Sequence, residues 1–188
     1  MAQADGQIFT PGMKNIYLLG FMGAGKSSAG RLLAARTGLA FRDTDTEINK
    51  AAGRSAAEII TGRGLGAFRR LEDSVLRKLS RAGGQVVAPG GGVTLTKKRG
   101  FLKRSGITVY LACREKTLLQ RLTKAPGSRP LLGPDRGKWP AMISRLLEKR
   151  RPCYERADIR IDVSLLSPAR TAARIETAVK KHDKNFFN

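Results

Sequence analysis

Gly20-Phe21-Met22-Gly23-Ala24-Gly25-Lys26-Ser27 satisfies G-x-x-x-x-G-K-[ST], and its flanks decide how the chain folds. Ile16-Tyr17-Leu18-Leu19, just before it, is a short apolar run of buried-strand type. Ser28 to Thr37, just after it, carries Leu32, Leu33 and Ala35 and reads as a helix. Strand, glycine loop and helix in that order make a phosphate cradle. Backbone N–H groups from Gly23, Ala24, Gly25, Lys26, Ser27 and Ser28 can converge on a nucleotide's phosphates at the positive end of the helix. The Lys26 ammonium can reach the β- and γ-phosphates, and the Ser27 hydroxyl can ligate Mg²⁺. ATP and Mg²⁺ are therefore the expected co-substrate and metal.

The chain's 188 residues are read as one domain, long enough to bury a core without disulfides or metal. A composition of 41% hydrophobic and 6% aromatic residues fits an α/β protein. No run approaches the roughly 20 apolar residues of a membrane helix, so no membrane partner is expected. Met1 to Met13 has neither an apolar core nor an Arg-rich amphipathic pattern and reads as a frayed extension. Cys113 and Cys153 lack metal-type spacing and are read as reduced thiols of a cytoplasmic protein. The net charge of +21 raises the question of a polyanionic partner. Its Lys and Arg residues are spread over nearly every expected helix, with no basic arm and no interleaved aromatic platform. No dedicated nucleic-acid partner is expected, and no extended apolar stripe demands a second subunit, so a monomer is.

Further along, Leu39 to Asp43 reads as a second strand with acidic residues at its end. A short helix follows over Thr44 to Ala52, capped by Asp45 or Thr44. Ser55 and Glu58 form a capping box for the next helical piece. Gly62 to Gly66 punctuates the chain before a helix over Ala67 to Leu79. Gln85 to Pro89 is a strand running into Gly90-Gly91-Gly92, and Leu95 to Lys103 a weak basic helix. Ile107 to Cys113 is β-branched and apolar, a strand. Helices over Glu115 to Lys124 and Trp139 to Tyr154, the latter with Met142, Leu146 and Leu147 inward, flank a Pro- and Gly-rich stretch expected to be a mobile lid at about 124–138. Ile159 to Val163 is the last strand; Ser167 and Pro168 open the last helix, and 183–188 should be loose. Five strands alternating with helices predict a three-layer α/β/α fold around a five-stranded parallel sheet. Ligands bind such sheets at the strands' carboxyl ends, where Gly20–Ser27, Asp43–Asp45 and Gly90–Gly92 converge.

At this point the chain resembles shikimate kinase, a small P-loop kinase of the nucleoside-monophosphate-kinase type, from about Asn15 to Lys180. The resemblance rests on several motifs in order: the glycine loop, Asp43-Thr44-Asp45, Phe68-Arg69-x-x-Glu72, Gly90-Gly91-Gly92, Arg129-Pro130-Leu131-Leu132 and Arg150-x-x-x-Tyr154. It implies transfer of phosphate from ATP to the 3-hydroxyl of shikimate, a ring with three hydroxyls and one carboxylate, on the route to chorismate and the aromatic amino acids. Arg69 and Arg150 match the family's carboxylate-binding arginines, and a guanidinium fork suits a carboxylate. Asp45 matches the residue that binds the ring hydroxyls, and Asp43 is placed to meet Mg²⁺ directly or through water. Gly90, Gly91 and Gly92 would offer backbone N–H groups to the substrate. Arg129 matches the lid arginine that steadies the transferring phosphoryl group, and Arg121 would lie against the nucleotide.

The chain departs from the family pattern at Gly64-Leu65, where Gly-Glu is usual. Ile60 stands at an often aromatic pocket position, and Leu165-Leu166-Ser167 lacks a basic residue some members place near adenine. Two other readings fit the glycine loop. A kinase of another small polyol acid, such as gluconate, would lack the paired arginines. A non-catalytic module binding nucleotide or polyanion would not need Lys26, Asp43 and Asp45 together.

Overall fold

The computed structural model describes residues 13–90, 93, 100–125 and 131–187. In chain order its elements are β1 (Asn15–Leu19), α1 (Lys26–Thr37), β2 (Ala40–Asp43), α2 (Thr44–Ala52), α3 (Ala56–Ala82), β3 (Gln85–Ala88), α4 (Gly100–Ser105), β4 (Gly106–Ala112), α5 (Glu115–Lys124), α6 (Trp139–Tyr154), β5 (Ile159–Asp162) and α7 (Pro168–His182). The strands form one parallel sheet in the order β2-β3-β1-β4-β5. Helices cover both of its faces, α1 packing on α7 in one layer. Every residue of β1 and β4 is buried, which is why these strands read as unbroken apolar runs. The edge strand β5 alternates instead, turning Arg160 and Asp162 outward.

The strand order positions the site. From β1 the chain moves to β2 and β3 on one side, then crosses back to β4 on the other. The glycine loop leaves the carboxyl end of β1, where the connections diverge and a crevice opens. Gly25 turns that loop into α1 with left-handed dihedrals (φ 92°, ψ 18°), which a side chain would strain. A second apolar cluster of Ile48, Ile59 and Phe68 lies apart from the main core and clamps α2 to α3. The two helices bordering the crevice therefore hold their spacing through a core of their own.

Several expectations change in the folded chain. The punctuation expected at Gly62–Gly66 narrows to Gly64 (φ 77°, ψ 162°), a kink between the two helical segments of α3. Gly62 and Gly66 stay helical because the apolar face continues through Phe68, Leu76 and Leu79. The cap of α2 is Asp43 rather than Thr44 or Asp45: the extended end of β2 leaves its Oδ1 free to accept the Asp45 N–H at 3.0 Å. On α6 the fully inward residues are Trp139, Ile143, Leu147, Arg150 and Tyr154, with Met142 and Leu146 half-buried. The tail is not loose. Asp183 accepts from Lys14 Nζ at 3.1 Å, and Phe186 is buried against the core beside Phe187. Of the expected lid, 126–130 lies outside the described residues; beyond it Leu132 is buried and Trp139 Nε1 donates to Gly133 O at 3.1 Å. The weak helix begins at Gly100 within the described residues, and 1–12 and 94–99 lie outside them. Both cysteines are free and half-buried.

Candidate active site

A cleft of about 830 Å³ runs across the carboxyl ends of β1, β2 and β3. It is lined by the glycine loop from Met22 to Ser28 and by Asp43, Asp45, Asn49, Arg69, Glu72 and Gly90. Lys26 lies over its own loop, donating to Gly20 O at 3.0 Å and Phe21 O at 3.1 Å. Burial brings its ammonium down to about 8; the carboxylates of Asp45 and Asp43 oppose the fall and the Arg150 charge adds to it. A buried cation clasped only by carbonyls is ready to exchange them for phosphate oxygens. Ser27 Oγ donates to Asp43 Oδ2 at 2.6 Å, so a hydroxyl and a carboxylate oxygen stand together at the start of α1. These are hard donors of the kind Mg²⁺ takes, and the pair is small enough to leave other positions to phosphates and water.

Asp45, two residues beyond the Asp43 cap, also lines the cleft. Its carboxyl is held above the ordinary range, first by burial and then by the charges of Asp43 and Glu72, with Lys26 and Arg69 pulling the other way. Arg69 stands one helical turn before Glu72 on α3. Its Nη1 donates to both Glu72 oxygens, at 2.8 and 2.7 Å, which fixes the guanidinium at the cleft wall. Glu72, quoted only as part of a motif in the sequence, is fully buried and is the group that aims Arg69. An i, i+3 Arg–Glu pair following the inward-facing Phe68 was its signal.

Gly23, Ala24, Gly25, Lys26, Ser27, Ser28, Asp43, Asp45, Arg69, Gly90 and Arg121 all line this cleft, though not all with free polar groups. The N–H of Gly90 is taken by Thr44 Oγ1 at 2.9 Å, so it is not offered to a ligand. Arg121 lines the cleft, yet its guanidinium is committed to backbone: Ala24 O at 3.4 Å, Val163 O at 3.0 Å and Leu166 O at 3.4 Å. It ties the glycine loop to the segment that leads into α7. Arg150 on α6 is buried with its guanidinium 5.6 Å from the Phe21 ring centroid, close enough to act on Lys26. Gly91, Gly92 and Arg129 lie outside the described residues. Leu166, Pro168 and Thr171 also line the cleft, delivered there by the packing of α7 on α1; in the sequence Leu166 stood out only as part of a stretch lacking a basic residue, and Thr171 not at all.

A phosphate cradle sharing one cleft with a carboxylate and an arginine is the arrangement of a small-molecule phosphotransferase. The shikimate kinase family model matches residues 22–180. The chain belongs to the shikimate kinase family. A shikimate kinase from Synechococcus sp. (strain RCC307) is 44% identical over 148 residues, covering 78% of this chain and 74% of that protein. A shikimate kinase from Acinetobacter baumannii, solved in complex with shikimate, superposes with a TM-score of 0.83 at 35% identity, covering 92% of this chain and 96% of that one. A gluconokinase from Sinorhizobium meliloti shares the fold alone, with a TM-score of 0.55 at 19% identity. Membership of the shikimate kinases makes the protein a kinase, and the three-layer fold expected from the sequence is the one found.

Proposed function

We propose that this kinase transfers the γ-phosphoryl group of ATP to the 3-hydroxyl of shikimate. The observation that carries the reading is the gathering of Lys26, Ser27, Asp45 and Arg69 in one cleft, in a chain of this family. In the proposed reaction the acceptor hydroxyl oxygen attacks the γ-phosphorus and the bond to the bridging oxygen breaks, releasing ADP. Asp45 orients the hydroxyl and takes its proton. Lys26 spreads its charge over the β- and γ-phosphates, where a preorganised cation in a partly dry site acts most strongly. Arg69, held by Glu72, receives the substrate carboxylate, with Arg150 as the second cation. Mg²⁺, held by Ser27 and Asp43, would supply charge neutralisation at the β- and γ-oxygens. Gly23, Ala24, Gly25 and Ser28 hold phosphate, Arg121 braces the nucleotide side, and Gly91 and Gly92 supply substrate N–H groups. Arg129 is assigned the closing role on the family resemblance.

We further propose a single-domain, monomeric, cytoplasmic enzyme with no dedicated nucleic-acid or membrane partner. In support, the exposed large apolar residues among those described, Leu32, Leu65 and Leu165, stand on α1, on α3 and in the loop between β5 and α7. No helix among the described residues is long and apolar enough to cross a membrane. The test is ADP release with MgATP in the presence of shikimate, gluconate, quinate or no acceptor. Shikimate-dependent turnover, lost in Lys26→Ala, is expected. Turnover with gluconate and none with shikimate would refute the substrate assignment.

A further inference from the structure

Gly90 follows β3 and Pro89 at the point where the chain passes between two carboxylates. A Cβ built on it would lie 2.9 Å from Glu72 Oε1 and 3.1 Å from Asp45 Oδ1, so the backbone stands in unusually close contact with both carboxylates. A glycine has no side chain to anchor it, and something else must hold it there. Its N–H donates to Thr44 Oγ1 at 2.9 Å, a bond spanning 46 residues. Thr44 is fully buried, is the first residue of α2, and is not among the residues that line the cleft. Three consecutive residues thus serve three parts of the site. Asp43 meets Ser27 of the glycine loop, Thr44 meets the Gly90 turn, and Asp45 faces the cleft.

We infer that Thr44 is a positioning residue for the acceptor: its hydroxyl latches Gly90 against Asp45 and Glu72, and so sets affinity for the substrate without touching it. The inference rests on the proposed acceptor site at Asp45 and Arg69. A part-buried backbone N–H deprived of its acceptor is costly, so without the hydroxyl the turn shifts to find water or another oxygen. That shift opens the acceptor end of the cleft. The phosphate end is unaffected, since Lys26 and Ser27 are held by Gly20, Phe21 and Asp43.

The test compares Thr44→Val, which keeps the shape and removes the acceptor, with Thr44→Ser, which keeps the acceptor and removes the methyl. In Thr44→Val, amide exchange at Gly90 and the KM for shikimate should each rise about tenfold, the loss appropriate to one unsatisfied backbone donor. The KM for ATP should stay within about twofold, and Thr44→Ser should stay within about twofold of wild type on every measure. Should Thr44→Val fail to fold, Thr44→Ala makes the same comparison with Thr44→Ser. Equal impairment of Val and Ser, or a parallel rise in the two KM values, would overturn the latch in favour of packing. An unchanged Gly90 exchange rate in Thr44→Val would overturn it outright. That exchange is read without substrate, so the latch stands or falls even if wild type proves inactive on shikimate.

Discussion

Replacing Arg69 by Met should cost stability as well as substrate binding, and a second substitution should separate the two. Arg69 Nη1 donates to both oxygens of Glu72, at 2.8 and 2.7 Å. The Glu72 side chain is fully buried, whereas that of Arg69 is 29% exposed. Breaking a wholly buried pair costs about 3–5 kcal/mol, and one hydrogen bond to a charged group contributes about 1.5–3 kcal/mol. Here both bonds share a single nitrogen, and water reaches the guanidinium. The loss should therefore be about 2–3 kcal/mol, near the top of the single-bond range. In a domain of this size each kcal/mol moves Tm by about 2–4 °C, so Arg69→Met should melt about 4–12 °C below wild type. Glu72→Gln added to Arg69→Met replaces the buried charge with an amide and should recover at least about a third of that drop. Both variants should have lost turnover with shikimate. Differential scanning calorimetry at neutral pH reads the melting and coupled ADP release the turnover. The reasoning is refuted if Arg69→Met melts within about 1 °C of wild type, or if the double variant melts no higher than the single.

The depressed Lys26 ammonium makes stability depend on pH with a definite sign. Its folded value of about 8 lies below the ordinary 10.5, so between those values the unfolded chain holds more protons and stability rises with pH. Urea midpoints of the nucleotide-free protein should climb across that window relative to Lys26→Met, by up to roughly 3 kcal/mol; parallel profiles for the two proteins would exclude the effect. Asp43 joins two tasks that substitution can divide. Asp43→Asn keeps the Oδ1 acceptor for the Asp45 N–H and should melt like wild type while needing more Mg²⁺ for turnover. Asp43→Ala also loses the cap, about 1 kcal/mol or roughly 2–4 °C. Equal melting of the two variants would show that the cap contributes nothing.

What the chain declares in sequence is what short-range physics can encode. The glycine loop is legible because the turn, the lysine and the helix start are neighbours, and backbone dihedrals are a local property. The capping box at Ser55, the N-cap at Ser167, the buried runs of β1 and β4 and the alternation of β5 are legible for the same reason. The tertiary structure decided the rest. Asp43 rather than Thr44 or Asp45 caps α2, because β2 ends extended beside β3. Arg121 spends its donors on Ala24, Val163 and Leu166. The Gly90 N–H goes to Thr44, 46 residues away. Donors and acceptors so far apart in the chain acquire their partners only when the strand order β2-β3-β1-β4-β5 sets which loop ends lie side by side. The kind of chemistry was therefore written locally, while the division of each polar group between holding the site and serving it was settled by packing.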